Sequence, residues 1–385
     1  MAFFSMDQAP PCVLIPFCQN YDWGKLGSES VVAQLAGSGN GLEVDESKPY
    51  AELWMGAHPN GPCYVSSESE RAVTIPIKEY LSKNSLGEIQ FLFKVLSVRK
   101  ALSIQSHPDA KLARELHAKF PDIYKDPNPK PELAIAISRF RALYGFRPAE
   151  QIVEFGRRFP QLLQIIGERE ISGSPVALKK VYSSLMHASR CKVKEVIDSI
   201  LQSSDNEGSV VEVARDLNDQ YPGGDVGVLS VFFLNIVDLL PGQAIFIGPN
   251  VPHAYLSGDL IECMTCSDNV IRGGLTSKFK DVETLLASLD FAFSGPPKLL
   301  LQTRDQTWSP ENVPFAVKEY KGGSFEIKPE TESPAIALVI EGEGSVGTVA
   351  VKRGKSLLLI PGIVYRVESE YIRIFIAFTP KNYII

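Results

Sequence analysis

The spacing of hydrophobic residues changes twice along this 385-residue chain. From residue 11 to about 146, apolar runs are short and separated by Gly, Pro and Asn, and residues 91–98 and 133–137 are typical of buried β-strands. In residues 178–185 and 193–201, apolar side chains recur at i, i+3, i+4 and i+7, which predicts amphipathic helices. Strand-like runs return at residues 228–237 and continue to the C-terminus. We therefore predict a mainly β chain with an inserted α-helical domain.

These changes predict four segments. Residues 1–147 and 225–294 are expected to form the two parts of one catalytic β unit, with residues 148–224 as the helical insertion between them. Residues 295–385 are expected to form a smaller C-terminal β unit. Tyr221-Pro-Gly-Gly-Asp breaks the helical pattern, and Ser294-Gly-Pro-Pro is the best linker candidate. Two further helices are predicted near residues 109–118 and 281–288.

Two segments, 112 residues apart, repeat one pattern. Residues 242–253 and 354–365 each contain a turn glycine, three apolar residues and a proline, and end in an aromatic residue. Both resemble the second half of a cupin, a small double-sheet jelly roll, although strand-and-turn patterns of this kind are common. We therefore expect two cupin barrels. The first copy ends in His253 and the second in Tyr365, so a metal is expected in the first and a structural role for the second.

The overall composition argues against several kinds of partner. The 39 Lys and Arg against 45 Asp and Glu give a net charge of −6, so a broad basic face for nucleic acid is not expected. No run approaches the ~20 apolar residues of a membrane span, and the N-terminus lacks the cationic start of a secretory signal. Six cysteines in a chain of this length do not suggest a disulfide framework. We expect a cytoplasmic monomer that binds neither nucleic acid nor membrane.

Two strand segments carry residue types that could share a metal ion. In Ser103-Ile-Gln-Ser-His, alternate side chains lie on one face of an extended chain, so Gln105 and His107 could both reach one ion. Glu132, at the start of another strand, could complete the set with His253. Two histidines, a glutamate and a glutamine suit Zn²⁺ but can also hold Fe²⁺. Considered singly, each polar residue is more often a solvated strand residue or a surface charge.

Side chains that could bind an anion or move a proton are frequent after His253: Tyr255, Glu262, Asp268, Asn269, Arg272, Thr276 and Lys278. A guanidinium can bind phosphate through two hydrogen bonds, and the clustering of these residues near a metal-type histidine makes them candidates. His58, in a turn sequence, could line a pocket, although a role in the turn alone is favoured. Cys263 and Cys266 have zinc-knuckle spacing without a second pair, which favours two structural thiols.

Six segments together resemble type I mannose-6-phosphate isomerase, also called phosphomannose isomerase. They are YDWGKLG at Tyr21, YAELWMGAHP at Tyr50, FLFKVLSVRKALSIQSHPD at Phe91, PKPELAIAI at Pro129, GPNVPHAYLSGDLIECM at Gly248 and SDNVIRGGLTSKFKDV at Ser267. The resemblance extends over residues 12–286 in the order and spacing of the family. The last hundred residues match only by strand pattern.

The resemblance implies one Zn²⁺ per chain, held by Gln105, His107, Glu132 and His253. It places Arg272 in the active site and implies pocket positions for six more residues: Lys94, Ser103, Lys130, Tyr255, Glu262 and Lys278. We expect catalytic roles for Arg272, Lys130, Glu262 and Tyr255, and substrate binding by Lys94, Ser103 and Lys278. Two positions depart from the common family pattern, Ser277 in Leu-Thr-Ser-Lys and Ser106, and neither is a metal ligand.

The implied reaction interconverts D-mannose 6-phosphate and D-fructose 6-phosphate through a cis-enediol, and supplies mannose 6-phosphate for GDP-mannose synthesis. Arg272 could anchor the phosphate with Lys278 and Ser103, or stabilise the enediolate. Lys130, Glu262 and Tyr255 all remain candidates for the base, and zinc could act as a Lewis acid or position groups. Two alternatives are another metal-dependent cupin, such as an iron oxygenase, and a sugar-binding bicupin without turnover.

Overall fold

The computed structural model describes residues 10–66, 74–167, 174–203, 208–329, 332–381 and 383. The expectation that the chain lacks a signal segment concerns mainly residues 1–9, which lie outside these ranges. Among the described helices, none combines the length and the apolar character needed to cross a membrane.

The strands are β1 (Cys12–Ile15), β2 (Phe17–Gln19), β3 (Lys25–Leu26), β4 (Pro49–Tyr50), β5 (Glu52–Met55), β6 (Tyr64–Ser66), β7 (Thr74–Pro76), β8 (Phe91–Val98), β9 (Ile104–Ser106), β10 (Glu132–Ala136), β11 (Phe140–Phe146), β12 (Leu234–Leu239), β13 (Ala244–Ile247), β14 (His253–Thr265), β15 (Ile271–Gly274), β16 (Thr307–Trp308), β17 (Ala316–Gly322), β18 (Phe325–Ile327), β19 (Ala335–Val346), β20 (Val349–Lys352), β21 (Ser356–Leu359), β22 (Tyr365–Glu368) and β23 (Ile372–Phe378). The helices are α1 (Val31–Asn40), α2 (Ile77–Lys83), α3 (Ala110–Lys119), α4 (Ala149–Arg158), α5 (Pro160–Ile166), α6 (Pro175–Met186), α7 (Arg190–Gln202), α8 (Ser209–Gln220), α9 (Val226–Leu229) and α10 (Val282–Ser288).

The fold is mainly β with a helical insertion, as the change of hydrophobic spacing predicts. One sheet has the strand order β12-β11-β14-β8-β5-β2, with β9, β10, β13 and β15 attached to its members. A second has the order β16-β17-β23-β19-β21-β1-β6-β7, with β18, β20 and β22 attached. Helices α4 to α8 lie between β11 and β12 in the chain. Their buried faces join one apolar core with residues of the β unit such as Phe146 and Phe291.

The expectation of a strand from residue 228 is wrong for its first half. Val226–Leu229 is α-helical and Ser230–Phe232 forms a 3₁₀ turn, so the strand begins only at Leu234. Asp225 starts the helix, since its side chain accepts a hydrogen bond from the Gly227 N–H. The whole stretch 226–234 is buried, and a continuous apolar run carries no periodicity that separates helix from strand.

The repeated pattern corresponds to a repeated local structure. β13 and β21 begin and end at equivalent positions, and β14 and β22 begin at the equivalent residues His253 and Tyr365. The turn glycines Gly242 and Gly354 share a φ of 86°, in the left-handed region that favours glycine. β13 pairs with β10 so that Ile247 lies opposite Glu132, and β21 pairs with β19 so that Leu359 lies opposite Ala335. The position equivalent to Glu132 is therefore apolar in the second copy.

Strand β14 organises the first sheet, because it pairs with β8, β9, β10 and β11. Its residues 253–257 pair with β11 and its residues 258–265 with β8, and Gly258, where the partner changes, has a φ of 112° in the left-handed region. A Cβ atom at this position would lie 2.4 Å from the carbonyl oxygen of Arg139, so only glycine fits without movement of the backbone. A single strand thereby carries His253 at one end and Glu262 further along.

Candidate metal centre

Three buried side chains converge where β9, β10 and β14 meet. His107, Glu132 and His253 offer ligand atoms that all lie within 4.8 Å of one another. His107 follows β9, Glu132 starts β10, and His253 starts β14, where it lies opposite Gln105 in the pairing of β14 with β9. The separate strand segments noted in the sequence therefore meet at one point, and each of these three residues is at most 2% exposed.

Hydrogen bonds fix which nitrogen of each histidine faces the cluster. His107 Nδ1 lies 2.8 Å from the carbonyl oxygen of Asn269, and His253 Nδ1 lies 3.0 Å from that of Val251. A carbonyl oxygen only accepts, so each Nδ1 carries a proton and each ring directs its Nε2 toward the cluster. His107 Nε2 is buried and makes no hydrogen bond, although Glu132 Oε1 is 3.2 Å away. Such a pair of oriented, dry imidazoles fits a divalent metal.

Glu132 and Gln105 complete the donor set. Glu132 Oε2 lies 3.6 Å from His253 Nε2, so the two carboxylate oxygens face the two rings. Gln105 places its amide nitrogen 3.3 Å from His253 Nε2, and its oxygen accepts a hydrogen bond from Ser103 at 3.1 Å. A half-turn of the carboxamide, which exchanges two nearly isosteric groups, would direct the oxygen to the cluster. These donors, two nitrogens and two oxygens, suit Zn²⁺.

The electrostatics of the cluster favour deprotonated ligands. Burial acts to raise the pKa of the Glu132 carboxyl, but His107 and the nearby Lys130 ammonium outweigh it and hold the pKa well below its ordinary value. Burial lowers the pKa of His253 to about 4, with the neighbouring His107 acting in the same direction. A carboxylate and an uncharged imidazole are the forms that bind a metal ion.

A second buried network lies beside these ligands. Lys94 Nζ lies 3.0 Å from Glu262 and 3.2 Å from Glu52, and 5.0 Å from the centre of the Trp54 ring. Tyr255 donates to Glu262 at 3.1 Å and also approaches Glu132 at 3.5 Å. Burial is the main cause that raises the pKa of Glu262 to about 7, and Lys94 opposes it. The network therefore links the candidate ligand Glu132 to Lys94, the one lysine that is buried among the described residues.

A cavity of about 330 Å³ adjoins the cluster and the network through Gln105 and Lys94. Six predicted site residues line it: Lys94, Ser103, Gln105, Lys130, Arg272 and Lys278. Tyr255 and Glu262, for which the resemblance implied pocket positions, are 2% and 3% exposed and, like His107, Glu132 and His253, do not line the cavity itself. Their β14 positions direct them into the network around Lys94.

Several cavity residues were missed by the sequence analysis: Tyr21, Trp23, Glu52, Trp54, Lys100, Met264 and Tyr221. Their presence in the quoted YDWGKLG and YAELWMGAHP segments was the available signal for four of them. His58 also lines the cavity, although its sequence context favoured a role in the turn alone. Its Nε2 lies 3.3 Å from Asp268. A larger, open cleft of about 1190 Å³ lies beyond His58 and Asp268, and is lined by none of the eleven predicted site residues.

The cations that line the cavity form two groups. Lys94 and Lys130 lie within 4 Å of carboxylates. Lys100, Arg272 and Lys278 have no carboxylate within that distance among the described residues, and Arg272 lies opposite Gln105 in the pairing of β15 with β9. Burial lowers the pKa of the Arg272 guanidinium, as expected for a cation removed from water without an anionic partner. This second group is suited to an anion that the protein does not itself supply.

The two spaced cysteines show no sign of a metal role. Cys263 is fully buried and Cys266 half-buried, both are free thiols, and burial raises both pKa values, that of Cys266 to about 11. A protonated thiol is a poor metal ligand. Two structural thiols remain the better interpretation.

The chain is similar to known proteins over nearly its whole length. The sequence model of the phosphomannose isomerase type I catalytic domain matches residues 12–149, and that of the type I helical insertion domain matches residues 156–234. Mannose-6-phosphate isomerase of Rattus norvegicus is 38% identical, with 95% of each chain covered. That of Schizosaccharomyces pombe is 36% identical, with 92% of this chain and 93% of the relative covered.

Solved structures are similar in the same way. A variant of phosphomannose isomerase from Salmonella typhimurium superposes with a TM-score of 0.81 at 29% identity, and covers 96% of this chain and 100% of its own. A zinc-bound mannose 6-phosphate isomerase gives the same TM-score, identity and coverage. With the buried His-Glu-His cluster, these similarities lead to one conclusion: the chain belongs to the type I phosphomannose isomerase family.

Proposed function

We propose that this protein is a zinc-dependent isomerase that interconverts D-mannose 6-phosphate and D-fructose 6-phosphate. The observation that carries the proposal is one cavity that combines two chemically different sets of residues. The proposed ligand Gln105 lines it beside the buried His-Glu-His cluster, and so do three cations, Lys100, Arg272 and Lys278, that have no carboxylate partner among the described residues. A phosphorylated sugar has the matching pair of groups, since its carbonyl carbons and its phosphate lie at opposite ends of the molecule.

We assign His107, Glu132, His253 and Gln105 as the residues that would hold one Zn²⁺. When bound, zinc would supply Lewis acidity to polarise a sugar oxygen next to the carbon that loses its proton. The protein's own contribution is to hold the ligands: carbonyl oxygens orient both imidazoles, and Lys130 Nζ lies 3.4 Å from Glu132 Oε1, where it can donate a hydrogen bond to the carboxylate.

The isomerisation removes a proton from C2 and returns one to C1 through a cis-enediol. Lys130 is the candidate for this transfer that faces the cavity, with 12% of its side chain exposed. As a free amine it can accept the proton from C2, and as the ammonium it can return the proton to C1. Glu262 and Tyr255 are buried and do not line the cavity, so we assign them to the network that fixes Lys94 and Glu132.

The phosphate would bind at the group of cations that has no carboxylate partner among the described residues. Arg272 can form two parallel hydrogen bonds with phosphate oxygens, and Lys278 and Ser103 can add one each. Because Arg272 has no anionic partner of its own among the described residues, a bound phosphate would satisfy a guanidinium that is already largely withdrawn from water. This favours Arg272 as an anchor over a role at the enediolate.

Several finer assignments belong to the same proposal. The shared strand bounds and turn geometry of residues 242–253 and 354–365 support a pair of cupin units, with the ligands only in the first. We also propose that the protein acts as a cytoplasmic monomer, without nucleic-acid or membrane partners, and supplies mannose 6-phosphate for GDP-mannose synthesis. The two alternatives are an iron oxygenase and a sugar-binding protein without turnover. Both are less well supported, because neither requires the group of cations formed by Lys100, Arg272 and Lys278.

A coupled assay tests the proposal directly. Purified protein is given mannose 6-phosphate, and fructose 6-phosphate is followed before chelation, after chelation and after return of zinc. Loss of turnover with chelator and recovery with zinc is expected. Oxygen consumption, or no turnover by folded protein carrying one zinc, would contradict the proposal.

A further inference from the structure

The loop that carries two of the proposed phosphate anchors has an unusual backbone. Arg272 lies in β15, Lys278 follows it, and Leu275 between them has a φ of 51°. This left-handed conformation is unfavourable for a leucine, because its Cβ crowds the carbonyl oxygen. Leu275 is also 99% buried, with 1% of its surface exposed. The conformation must therefore be held in place by contacts from outside the loop.

Asp225, at the end of the helical insertion, supplies that contact. Its Oδ1 accepts hydrogen bonds from the backbone N–H of Leu275 at 2.7 Å and of Gly227 at 2.8 Å. The two backbones are closely packed here: a Cβ on Gly227 would lie 2.6 Å from Leu275 Cγ, and one on Gly274 would lie 2.7 Å from the Gly227 nitrogen. The aspartate therefore fixes one arrangement of the loop against the insertion.

The same end of the insertion also contacts a second segment that lines the cavity, residues 100–103. Gln220 accepts a hydrogen bond from the Ala101 N–H at 2.7 Å, and the Tyr221 hydroxyl donates to the Ala101 carbonyl oxygen at 2.6 Å. The Tyr221 ring lies beneath Lys100, with Nζ 4.4 Å from the ring centre. Ala101 is two residues before Ser103, so this segment carries the remaining candidate phosphate contacts.

We propose that residues 220–225 set the spacing of the phosphate-binding side chains. Asp225 is the positioning residue for Arg272 and Lys278. Lys100 is an additional phosphate contact, held by the ring of Tyr221. The inference rests on the proposed function, since it concerns how the same cavity holds the phosphate of its substrate. None of these residues is a proposed zinc ligand, so phosphate affinity and zinc binding are expected to be separable.

The test compares Asp225→Ala with the conservative Asp225→Asn, which keeps an oxygen acceptor for both N–H groups. For Asp225→Ala we expect KM for mannose 6-phosphate, and the dissociation constant of inorganic phosphate, to rise about tenfold or more, with kcat changed less than about threefold. Zinc per chain is expected to stay unchanged in both variants, and Asp225→Asn to remain within about threefold of wild type. Unchanged phosphate binding in Asp225→Ala, or equal effects of both variants, would overturn the assignment.

Three further variants keep the test decisive if Asp225→Ala folds poorly. Tyr221→Phe loses the bond to Ala101 but keeps the ring beneath Lys100, whereas Tyr221→Leu loses both, so the second should weaken phosphate binding more. Lys192→Met removes surface hydrogen bonds to Gln164 and Glu195 elsewhere in the same insertion, so it should leave phosphate binding unchanged. Equal phosphate binding by both Tyr221 variants would refute the role of Lys100.

Direct titration of inorganic phosphate separates this inference from the proposed reaction. If the wild-type protein binds phosphate without turning over mannose 6-phosphate, the reaction proposal fails, while the variants still test the positioning role. If the wild-type protein turns over substrate but the variants bind phosphate normally, only the positioning role fails.

Discussion

Replacement of Lys94 by methionine should destabilise the protein strongly. Lys94 is 5% exposed, and its ammonium lies between the carboxylates of Glu52 and Glu262, at 3.2 and 3.0 Å. Methionine retains most of the chain length but leaves two buried carboxylates without their cation. Removal of one partner from a buried ion pair costs about 3–5 kcal/mol in free energy of unfolding. We expect a loss in that range at alkaline pH.

The loss should depend on pH in a defined direction. Burial raises the pKa of Glu262 to about 7 against the opposing charge of Lys94, so removal of Lys94 raises it further. The pKa of a glutamate carboxyl in the unfolded chain is about 4.3. A carboxyl whose pKa is higher than this in the folded protein stabilises the fold at pH below about 4.3, and this stability is lost as pH rises through the folded pKa. Above about pH 7, wild-type Glu262 is ionised beside its cation, whereas the variant must take up a proton or bury an unpaired charge. The difference should therefore grow from about pH 6 to about pH 9.

Urea unfolding followed by tryptophan fluorescence measures both effects, since Trp54 lies beside Lys94. The matched control is Lys83→Met, which removes a lysine from an exposed helical pair with Glu79 at 2.6 Å. Such a pair contributes about 0.3–0.5 kcal/mol, so this variant should be nearly as stable as wild type. A Lys94→Met variant within about 1 kcal/mol of the control at both pH values would refute the reasoning, as would a loss that is larger at acid pH.

Three further predictions concern individual side chains. Glu132→Ala should abolish both zinc retention and turnover, because it removes a proposed ligand from a buried cluster; metal analysis of the folded variant with zinc still bound at one per chain would contradict this. Lys278→Ala should raise KM for mannose 6-phosphate several-fold with zinc content unchanged, and steady-state kinetics with an unaltered KM would count against the anchor. Tyr365→Phe should leave zinc content unchanged but lower the unfolding free energy by about 1–3 kcal/mol, because the Ile360 N–H loses the hydroxyl that accepts its hydrogen bond at 2.9 Å. Loss of zinc from this variant would refute the assignment of ligands to the first copy alone.

Elements with a regular spacing of apolar residues could be predicted from the sequence. The helices at residues 175–186 and 190–202 follow from their i, i+3, i+4 pattern, and the strand at residues 91–98 follows from its length and composition. The helical turn at residues 226–232 could not be predicted, because every side chain there is buried. The turn depends on Asp225, and its second hydrogen bond reaches Leu275, 50 residues away.

The metal cluster was more predictable than the cavity around it. Gln105 lies in β9 and His107 directly after it, and Glu132 at the start of a buried strand was proposed as a ligand on the family resemblance. By contrast, the buried ion-pair network of Glu52 and Lys94 depends on Glu262, which lies 168 residues beyond Lys94 in the chain. Tyr221 likewise meets Ala101 across 120 residues. Contacts of this kind depend on the sheet register and the insertion, and neither leaves a local pattern.

The pairing of β1 has a consequence for how the chain can fold during synthesis. Residues 12–14 pair with residues 356–358 on one side, and β1 pairs with β6 on the other. Leu14 also shares an apolar core with Trp308 and Phe375. The sheet around β1 therefore cannot be completed until almost the whole chain has left the ribosome, and such distant pairing slows folding. Truncation before residue 295 would expose an unpaired strand edge and an apolar face, so we expect aggregation rather than a smaller, independently folded enzyme.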